Sequence, residues 1–401
     1  RARNALQERG VFHDYAHARS TPRLDSLRTV LDVLTRRAAA YRENGAMLKW
    51  YQAFGGAAIT ATTEQEWMKF DVSLPRERVA LFFRIEADRM RNTVFREFDQ
   101  ERMILVEQRL GDLNRPATPY YEAMNGLVGV VHPVFWQEGF ITDFPQYTRR
   151  YQRELYQRTF VPNNTTIVLV GGVTLEDMSP LAQHYFGWMP RAPEPPRVKA
   201  VEPMPQAERR LIWRSDRLEP RVEARFLIPG VGHPDRPYVD VVGEVLESEV
   251  AQALANRGVP GRVDVNTRVI HAARFSVPAS INVEVVVGDP THLDAAERTM
   301  LEAIERLKDQ PPAEARLALA KKRLRTEWHR TVLEADRVGF EVGHFQVMDG
   351  WQTLESYLET RQRATPADIA RLLRRYFIPK NRSIGVVRPP ETREKADQGS
   401  P

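Results

Sequence analysis

The chain has 401 residues, of which 42% are apolar and 28% are charged, and it contains no cysteine. The lack of cysteine excludes disulfides, thiol catalysis and cysteine-bound zinc, and a net charge of +5 scattered along helices does not favour a nucleic-acid-binding protein. No apolar run approaches the ~18 residues that a membrane-spanning helix needs. A chain longer than one hydrophobic core usually serves predicts two domains.

Apolar spacing predicts a first helix over residues 24–45. Two strands follow, over 57–63 and 67–74. The β-branched apolar run at 167–170 predicts a further strand. Between and after these strands, helical apolar spacing predicts helices over 77–91, 96–110, 119–128, 145–159 and 175–186.

Residues 189–205 contain six prolines, which predict an extended and fairly stiff linker. The segments at 209–215 and 221–228 are predicted to form a pair of strands. The rest of the chain is predicted to hold a helix over 236–256, strands over 263–270 and 274–287, several helices within 291–376 and a closing strand near 383–388.

One element occurs twice, at 158–167 and at 375–384. Both copies contain an aromatic residue, a branched apolar residue, Pro, one further residue and Asn, at the end of a helix and before an apolar strand. The distance between the copies is that of a domain and not of a solenoid repeat. Strands grouped early and helices grouped late in both halves predict an α+β fold of two homologous domains. In each, a mostly antiparallel sheet has helices packed on one face.

The predicted boundaries place the first domain at 1–188, the linker at 189–205, the second domain at 206–390 and a polar tail at 391–401. If the first domain is as long as the second, it would begin near or before residue 1. The opening strands of the first domain are therefore expected to be missing from it.

Three motifs in chain order resemble those of the insulinase-like (M16) zinc peptidases, in their bacterial two-domain type. Gly55-Gly56 and the strand after it are similar to the family's Gly-Gly…Asn-Ala…Thr strand. Residues 86–109 resemble a helix pair that ends in Glu-Arg-x-Val-Val-x-x-Glu, and the repeated element is similar to the end of each M16 domain. The resemblance covers essentially the whole chain and implies two homologous M16-type domains.

The resemblance also implies a zinc site in active members. An inverted His-x-x-Glu-His helix and a distal Glu hold the metal, and the middle Glu is the general base. The nearest match in this chain is the segment from His13 to His17, in which Ala16 stands where the general base belongs. We interpret these two histidines as surface residues. Any zinc helix is therefore expected upstream of residue 1, or it has been lost.

The position of the distal zinc ligand has two alignments. Aligning from the upstream side places it at Gln108, and aligning from the downstream side places it at Glu107. A deletion is easier to absorb near Gly111 than inside a packed helix, which favours Gln108, and a neutral amide is a poor zinc ligand. Glu107 remains the metal ligand if an upstream zinc helix exists, and otherwise it is a solvated carboxylate.

The resemblance implies that peptide substrate is held along the strand after Gly-Gly. In this chain the substrate-binding positions correspond to Ala58, Ile59, Thr60 and Ala61. Thr60 stands where the family has Asn, and Ala255 and Arg262 stand where a second-domain Arg and Tyr usually hold the substrate backbone. The segment 246–250 also replaces a glycine-rich stretch. These changes indicate a fold that was kept while its chemistry changed.

The preferred hypothesis is an M16-like subunit with no catalytic residue and no cofactor of its own, inactive alone. It would enclose extended peptide in a chamber together with an active zinc peptidase partner, as a hetero- or homodimer. Two alternatives stay open: an active zinc metalloendopeptidase whose His-x-x-Glu-His motif lies upstream, with Glu107 completing the zinc site, and a structural scaffold. We expect no nucleic-acid partner and no transmembrane segment, and we favour the bacterial periplasm or cell envelope over the cytoplasm.

Overall fold

The computed structural model describes residues 21–390, except 42, 65, 136–138, 145–146, 231 and 267–278. His13, His17 and the predicted tail at 391–401 therefore lie outside the described residues. No helix in the described part is long and apolar enough to cross a membrane.

The first half combines helices with one β-hairpin. Its helices are α1 (Pro22–Ala39), α2 (Ala46–Ala53), α3 (Val79–Arg91), α4 (Phe98–Leu113), α5 (Thr118–Val128), α6 (Arg149–Thr159) and α7 (Leu175–Phe186), and its strands are β1 (Ala57–Thr63) and β2 (Met68–Ser73). The predicted helix over 24–45 ends at Ala39, and α2 was not predicted. Gly45, at φ +62°, takes a left-handed conformation at the start of α2 and separates the two helices.

The second half is built on a five-stranded sheet. Its strands are β3 (Arg209–Arg214), β4 (Arg221–Ile228), β5 (Arg262–Asn266), β6 (Ala279–Val286) and β7 (Arg382–Arg388), and its helices are α8 (Arg236–Asn256), α9 (Leu293–Asp309), α10 (Glu314–Thr331), α11 (Ala335–Met348), α12 (Gln352–Arg363) and α13 (Pro366–Tyr376). The strand order is β3-β7-β4-β6-β5, and only the β3–β7 pair is parallel. The predicted α+β class with a mostly antiparallel sheet is confirmed.

The predicted pairing of 209–215 with 221–228 is wrong, because β7 lies between these two strands. The five central residues of β7 are all buried, so both of its faces are covered. A strand that is apolar on both faces belongs in the interior of a sheet, and the closing strand therefore inserts between β3 and β4.

Alternation along β4 separates the two faces of the sheet. Val222, Ala224 and Phe226 join the main core, to which α8, α9 and α13 contribute from one side. Glu223 and Arg225 point to the opposite face. The main hydrophobic core of the described chain thus lies between the second sheet and its own helices.

The opposite face of this sheet is covered by α5, a helix of the first half. Tyr120 and Met124 pack with Val387 of β7, and partly buried side chains of β3 and of the loop after it surround them. A helix on the second face was not predicted, because the sequence pattern of α5 does not reveal which sheet it contacts.

The predicted strand at 167–170 is not formed, and this segment packs against α11 instead. A Cβ atom at Gly343 would stand 3.4 Å from Val168 Cγ2, and one at Gly339 would stand 3.4 Å from Val170 Cγ2. The counterpart of the segment in the second half is β7, which pairs with β3 and β4. The described residues of the first half contain no strands equivalent to β3 and β4, so the segment 167–170 has no partner strand there.

The proline-rich segment has no helix or strand over 190–205, yet one of its residues is anchored. Glu202 is 6% exposed and accepts hydrogen bonds from the backbone N–H groups of Val130 (2.9 Å), Val131 (2.8 Å) and His132 (2.8 Å). These three amides follow α5 directly. The linker therefore holds the chain just after the helix that covers the second sheet.

Candidate functional site

The strand predicted to bind peptide is β1, and it begins at a tight turn. Gly55 has φ +84°, which favours glycine, and a Cβ atom at Gly56 would lie 2.7 Å from the carbonyl oxygen of Tyr51. Both glycines are therefore required to lead the chain from α2 into the strand. The predicted residues Ala58, Ile59, Thr60 and Ala61 all lie in β1.

Within the described residues β1 pairs with β2 alone, so its other edge presents unpaired backbone groups. The register shifts between Ala57 and Thr60, and Ala58 has a positive φ of 49°. A β-bulge with a non-glycine residue in this conformation is uncommon and re-aims the strand. The side chains on β1 are small, and Thr60 donates a hydrogen bond to Asp71 Oδ2 on β2 at 3.0 Å.

The hairpin is held from one face by a cluster of aromatic and charged side chains. Arg89 of α3 stacks on Phe70 of β2 at 3.8 Å from the ring centre and also pairs with Glu86. Tyr51 of α2 donates a hydrogen bond to Glu86 at 2.8 Å, and burial together with the charge of Glu86 raises the pKa of this tyrosine. The contacts fix the hairpin without using the open edge of β1.

The two candidate positions for the distal zinc ligand lie on α4. This helix continues through Gly111 to Leu113, so the expected loop near Gly111 is wrong and the structure does not favour Gln108 over Glu107. Glu107 and Gln108 are both exposed, whereas the next residue, Arg109, is buried and pairs with Glu122 of α5. One carboxylate and one amide do not make a zinc donor set. Among the side chains that the structure describes, no three His, Cys, Asp or Glu residues lie close enough together to hold a metal ion. The described residues therefore do not fit a zinc ion.

The two predicted substrate-contacting positions of the second half, Ala255 and Arg262, lie outside the β1–β2 hairpin. Ala255 is exposed near the end of α8, and Arg262 is exposed at the start of β5. In the segment before them, Leu246 and Val250 are completely buried in the core. Burial also raises the pKa of Glu247 and of Glu244 on the same helix. This part of α8 is therefore a packed helix and not a flexible glycine-rich segment.

Sequence reasoning located the β1 residues but missed Asp71 and the cluster of Tyr51, Glu86 and Arg89. The sequence holds no signal for the pairing of Asp71 with Thr60, because a shift of register between Ala57 and Thr60 precedes it. What the arrangement offers chemically is a hydrogen-bonding edge of small side chains. An extended peptide can pair with such an edge, whereas the strand itself carries no titratable side chain.

The comparisons agree with this architecture. Residues 147–324 match the family model of the peptidase M16 inactive domain. No curated protein matches the chain.

Several solved structures have the same fold. A protease from Helicobacter pylori is similar with a TM-score of 0.74 and 18% identity, over 86% of this chain and 86% of that one. The first half of the periplasmic protease PqqL from Escherichia coli is similar with a TM-score of 0.69 and 12% identity, over 85% of this chain and 78% of that one. A peptidase M16 inactive domain from Pseudomonas fluorescens is similar with a TM-score of 0.69 and 12% identity, over 88% of this chain and 85% of that one.

The class that emerges is an α+β protein of M16 peptidase fold. Residues 147–324 match the M16 inactive-domain family model, and the described chain shares the fold of M16-like peptidases.

Proposed function

We propose that this chain is a non-catalytic M16-type subunit that holds an extended peptide along β1 and encloses it together with an active zinc peptidase partner. The open edge of β1 is the observation that carries the proposal. Unpaired N–H and C=O groups on an exposed strand pair with any extended chain of suitable register, and side-chain pockets then add selectivity.

The side chains of β1 suit this role. The strand reads Ala-Ala-Ile-Thr-Ala-Thr-Thr, with no charged residue and no bulky aromatic residue. A peptide strand laid beside it therefore meets little steric obstruction, and its own alternate side chains have room on both faces.

The non-catalytic part of the proposal rests on the residues that replace the family's functional ones. Gln108 takes the distal-ligand position in the alignment from the upstream side, and Thr60, Ala255 and Arg262 take three substrate-contacting positions. The family model that matches residues 147–324 is itself described as an inactive domain.

The partner is supported by apolar surface in the first half. Large apolar side chains are exposed on α1 and α4, namely Leu27, Val30, Leu31 and Leu34, and Met103, Ile104, Leu105 and Leu110. Exposed apolar surface of this kind marks contacts with other chains. We propose a second M16-type subunit as the partner, and a periplasmic or cell-envelope location, since the similar PqqL is a periplasmic protease.

Backbone pairing can be tested with probes that change the peptide and leave the protein intact. An extended peptide is N-methylated at alternate residues in two complementary series, so that each series blocks the N–H groups of one edge only. If the peptide adds to β1, one series loses binding to the full chain and the other keeps it. Equal binding of both series would contradict pairing with β1, and no binding of the unmethylated peptide favours a structural scaffold.

A second candidate function is an active zinc metalloendopeptidase. Glu107 favours it, because this carboxylate is exposed on α4 and could complete a zinc site whose His-x-x-Glu-His helix is supplied from upstream of residue 1. Stoichiometric zinc in the purified protein, lost on Glu107→Gln, would support this candidate. Peptide cleavage that arises only on adding a zinc-bearing partner would support the non-catalytic subunit.

A further inference from the structure

The face of the second sheet that α5 partly covers carries a row of three carboxyl groups. Glu223 on β4 is directly opposite Glu284 on β6, and Glu284 is directly opposite Asp264 on β5. Glu223 is completely buried and Glu284 is 9% exposed, whereas Asp264 is exposed at the edge of the sheet. Like charges that face each other across neighbouring strands destabilise the sheet.

Two arginines compensate these charges unequally. Arg225 donates to both oxygens of Glu223, at 3.0 and 3.2 Å, and reaches α5 through Asn125 Oδ1 at 2.7 Å. Arg221 donates to one oxygen of Glu284 at 2.9 Å. Glu223 therefore has a bidentate partner, whereas Glu284 has a single-contact partner and stands between two other carboxyl groups.

The helix α5 lies over one end of this row, because it contacts β3, β7 and β4. Tyr121 brings its hydroxyl group within 3.3 Å of Arg221 Nη1, and Tyr120 is buried beside the same face. The titratable and charged groups that face Glu284 are Glu223, Arg221 and Arg225 of β4, Asp264 of β5, and Tyr120 and Tyr121 of α5. Burial and then the charge of Glu223 raise the pKa of Glu284, with Asp264 acting in the same direction and the two arginines opposing.

We propose that Glu284 makes the contact between the two halves of the chain pH-dependent, so that α5 holds the second sheet more tightly as the pH falls from neutral. Docking of α5 removes Glu284 from water, and a neutral carboxyl group loses less free energy on burial than a charged one. Protonation also removes the repulsion along the row. The docked state therefore binds a proton at a higher pH than the undocked or unfolded state does.

The sign follows from this difference. In the pH window between the ordinary carboxyl value of 4.5 and the higher value of the docked state, the docked form holds more protons. The free energy of undocking therefore rises as the pH is lowered through that window. Above the window both states are charged, and the contact is at its weakest.

Hydrogen exchange of the α5 amides in the full chain measures this contact locally. We expect the protection factors of residues 118–128 to rise several-fold as the pH is lowered from neutral towards 4.5. The variant Glu284→Gln should show high protection at neutral pH and no further rise. The variant Glu223→Gln should lower protection at every pH, because it leaves Arg225 buried without its bidentate partner.

The control is Glu154→Gln on α6, whose carboxylate makes an exposed ion pair with Arg150. It should keep the wild-type dependence. Asp264→Asn removes one neighbouring charge, so it should move the rise to lower pH, and it keeps the test available if Glu284→Gln does not fold. Protection of α5 that does not change with pH, or a Glu284→Gln variant with wild-type dependence, would overturn the proposal.

Discussion

Gly385 on β7 lies directly under Met124 of α5: a Cβ atom at residue 385 would stand 2.7 Å from the methionine sulfur, and still closer to the Tyr120 hydroxyl. A side chain at residue 385 would have to displace two buried side chains, Tyr120 and Met124. The packing of the two halves therefore favours glycine at this position.

The substitution Gly385→Ala should consequently destabilise the protein. Overpacking of a well-filled contact costs about 1–3 kcal/mol, because neighbouring side chains and backbone must shift. The free energy of unfolding in urea is the measurement. Gly288→Ala is the matched control, since a Cβ atom there meets open space and should change stability by less than ~0.5 kcal/mol. Equal effects of the two substitutions would contradict the close approach.

Glu202 should be the most sensitive residue of the linker. The change Glu202→Gln replaces a carboxylate that accepts three amide hydrogen bonds by a side chain that offers one acceptor atom. Leaving buried amides without acceptors should cost about 1–3 kcal/mol in unfolding free energy.

The same change at Glu194, an exposed linker residue, supplies the control. Glu194→Gln should have almost no effect, since exposed ion pairs contribute little. Hydrogen exchange at residues 130–132 provides the local readout, and faster exchange there should accompany the loss of stability only in the Glu202 variant. Unchanged exchange at these amides would show that the contact does not hold the linker in solution.

Asp235 should contribute to the stability of the second half at neutral pH and lose this contribution in acid. It accepts hydrogen bonds from Arg371 (2.6 Å), Arg375 (2.8 Å) and the Tyr376 hydroxyl (2.8 Å). Burial acts to raise the pKa of this carboxyl, but the bonds from Arg371 and Tyr376 outweigh it and the pKa is lowered. Its stabilising contribution is therefore complete above the ordinary value of 3.8 and is lost as the pH falls below it.

The test is denaturation as a function of pH. Asp235→Asn should cost about 1–3 kcal/mol at neutral pH, and the difference from wild type should shrink in strong acid. Asp309→Asn, an exposed position, should be neutral throughout. A difference that stays constant down to strong acid would show that Asp235 acts through its shape and not through its charge.

Much of the fold could be predicted because local patterns determine it. The helix α8 was predicted over 236–256 and is observed over Arg236–Asn256, since it follows directly on a turn and has continuous apolar content. Strand pairing could not be predicted in the same way. The sequence places β3 and β4 next to each other, and the insertion of β7 between them depends on contacts about 160 residues away in the chain.

The segment at 167–170 shows the same limit. Its β-branched residues have a preference for strand, but a strand requires a neighbouring strand, and here Val168 and Val170 meet the glycines of α11 instead. A preference for extended backbone therefore does not by itself predict a strand, because a strand also requires a partner strand.

For the candidate site, the sequence predicted the position of β1 but not its detailed geometry. Ala58 takes a positive φ in a bulge, which no glycine or asparagine signals. The pairing of Thr60 with Asp71 depends on the register that this bulge sets, so it emerged only from the structure.

The most direct test of the proposed function is the fate of an extended fluorescent peptide incubated with the purified full chain and zinc. We predict that the peptide binds, that it remains intact by mass spectrometry, and that the protein retains no stoichiometric zinc. Cleavage should begin only when a zinc-bearing M16-type partner is added. Cleavage by the chain alone, with stoichiometric zinc that Glu107→Gln removes, would contradict the non-catalytic role.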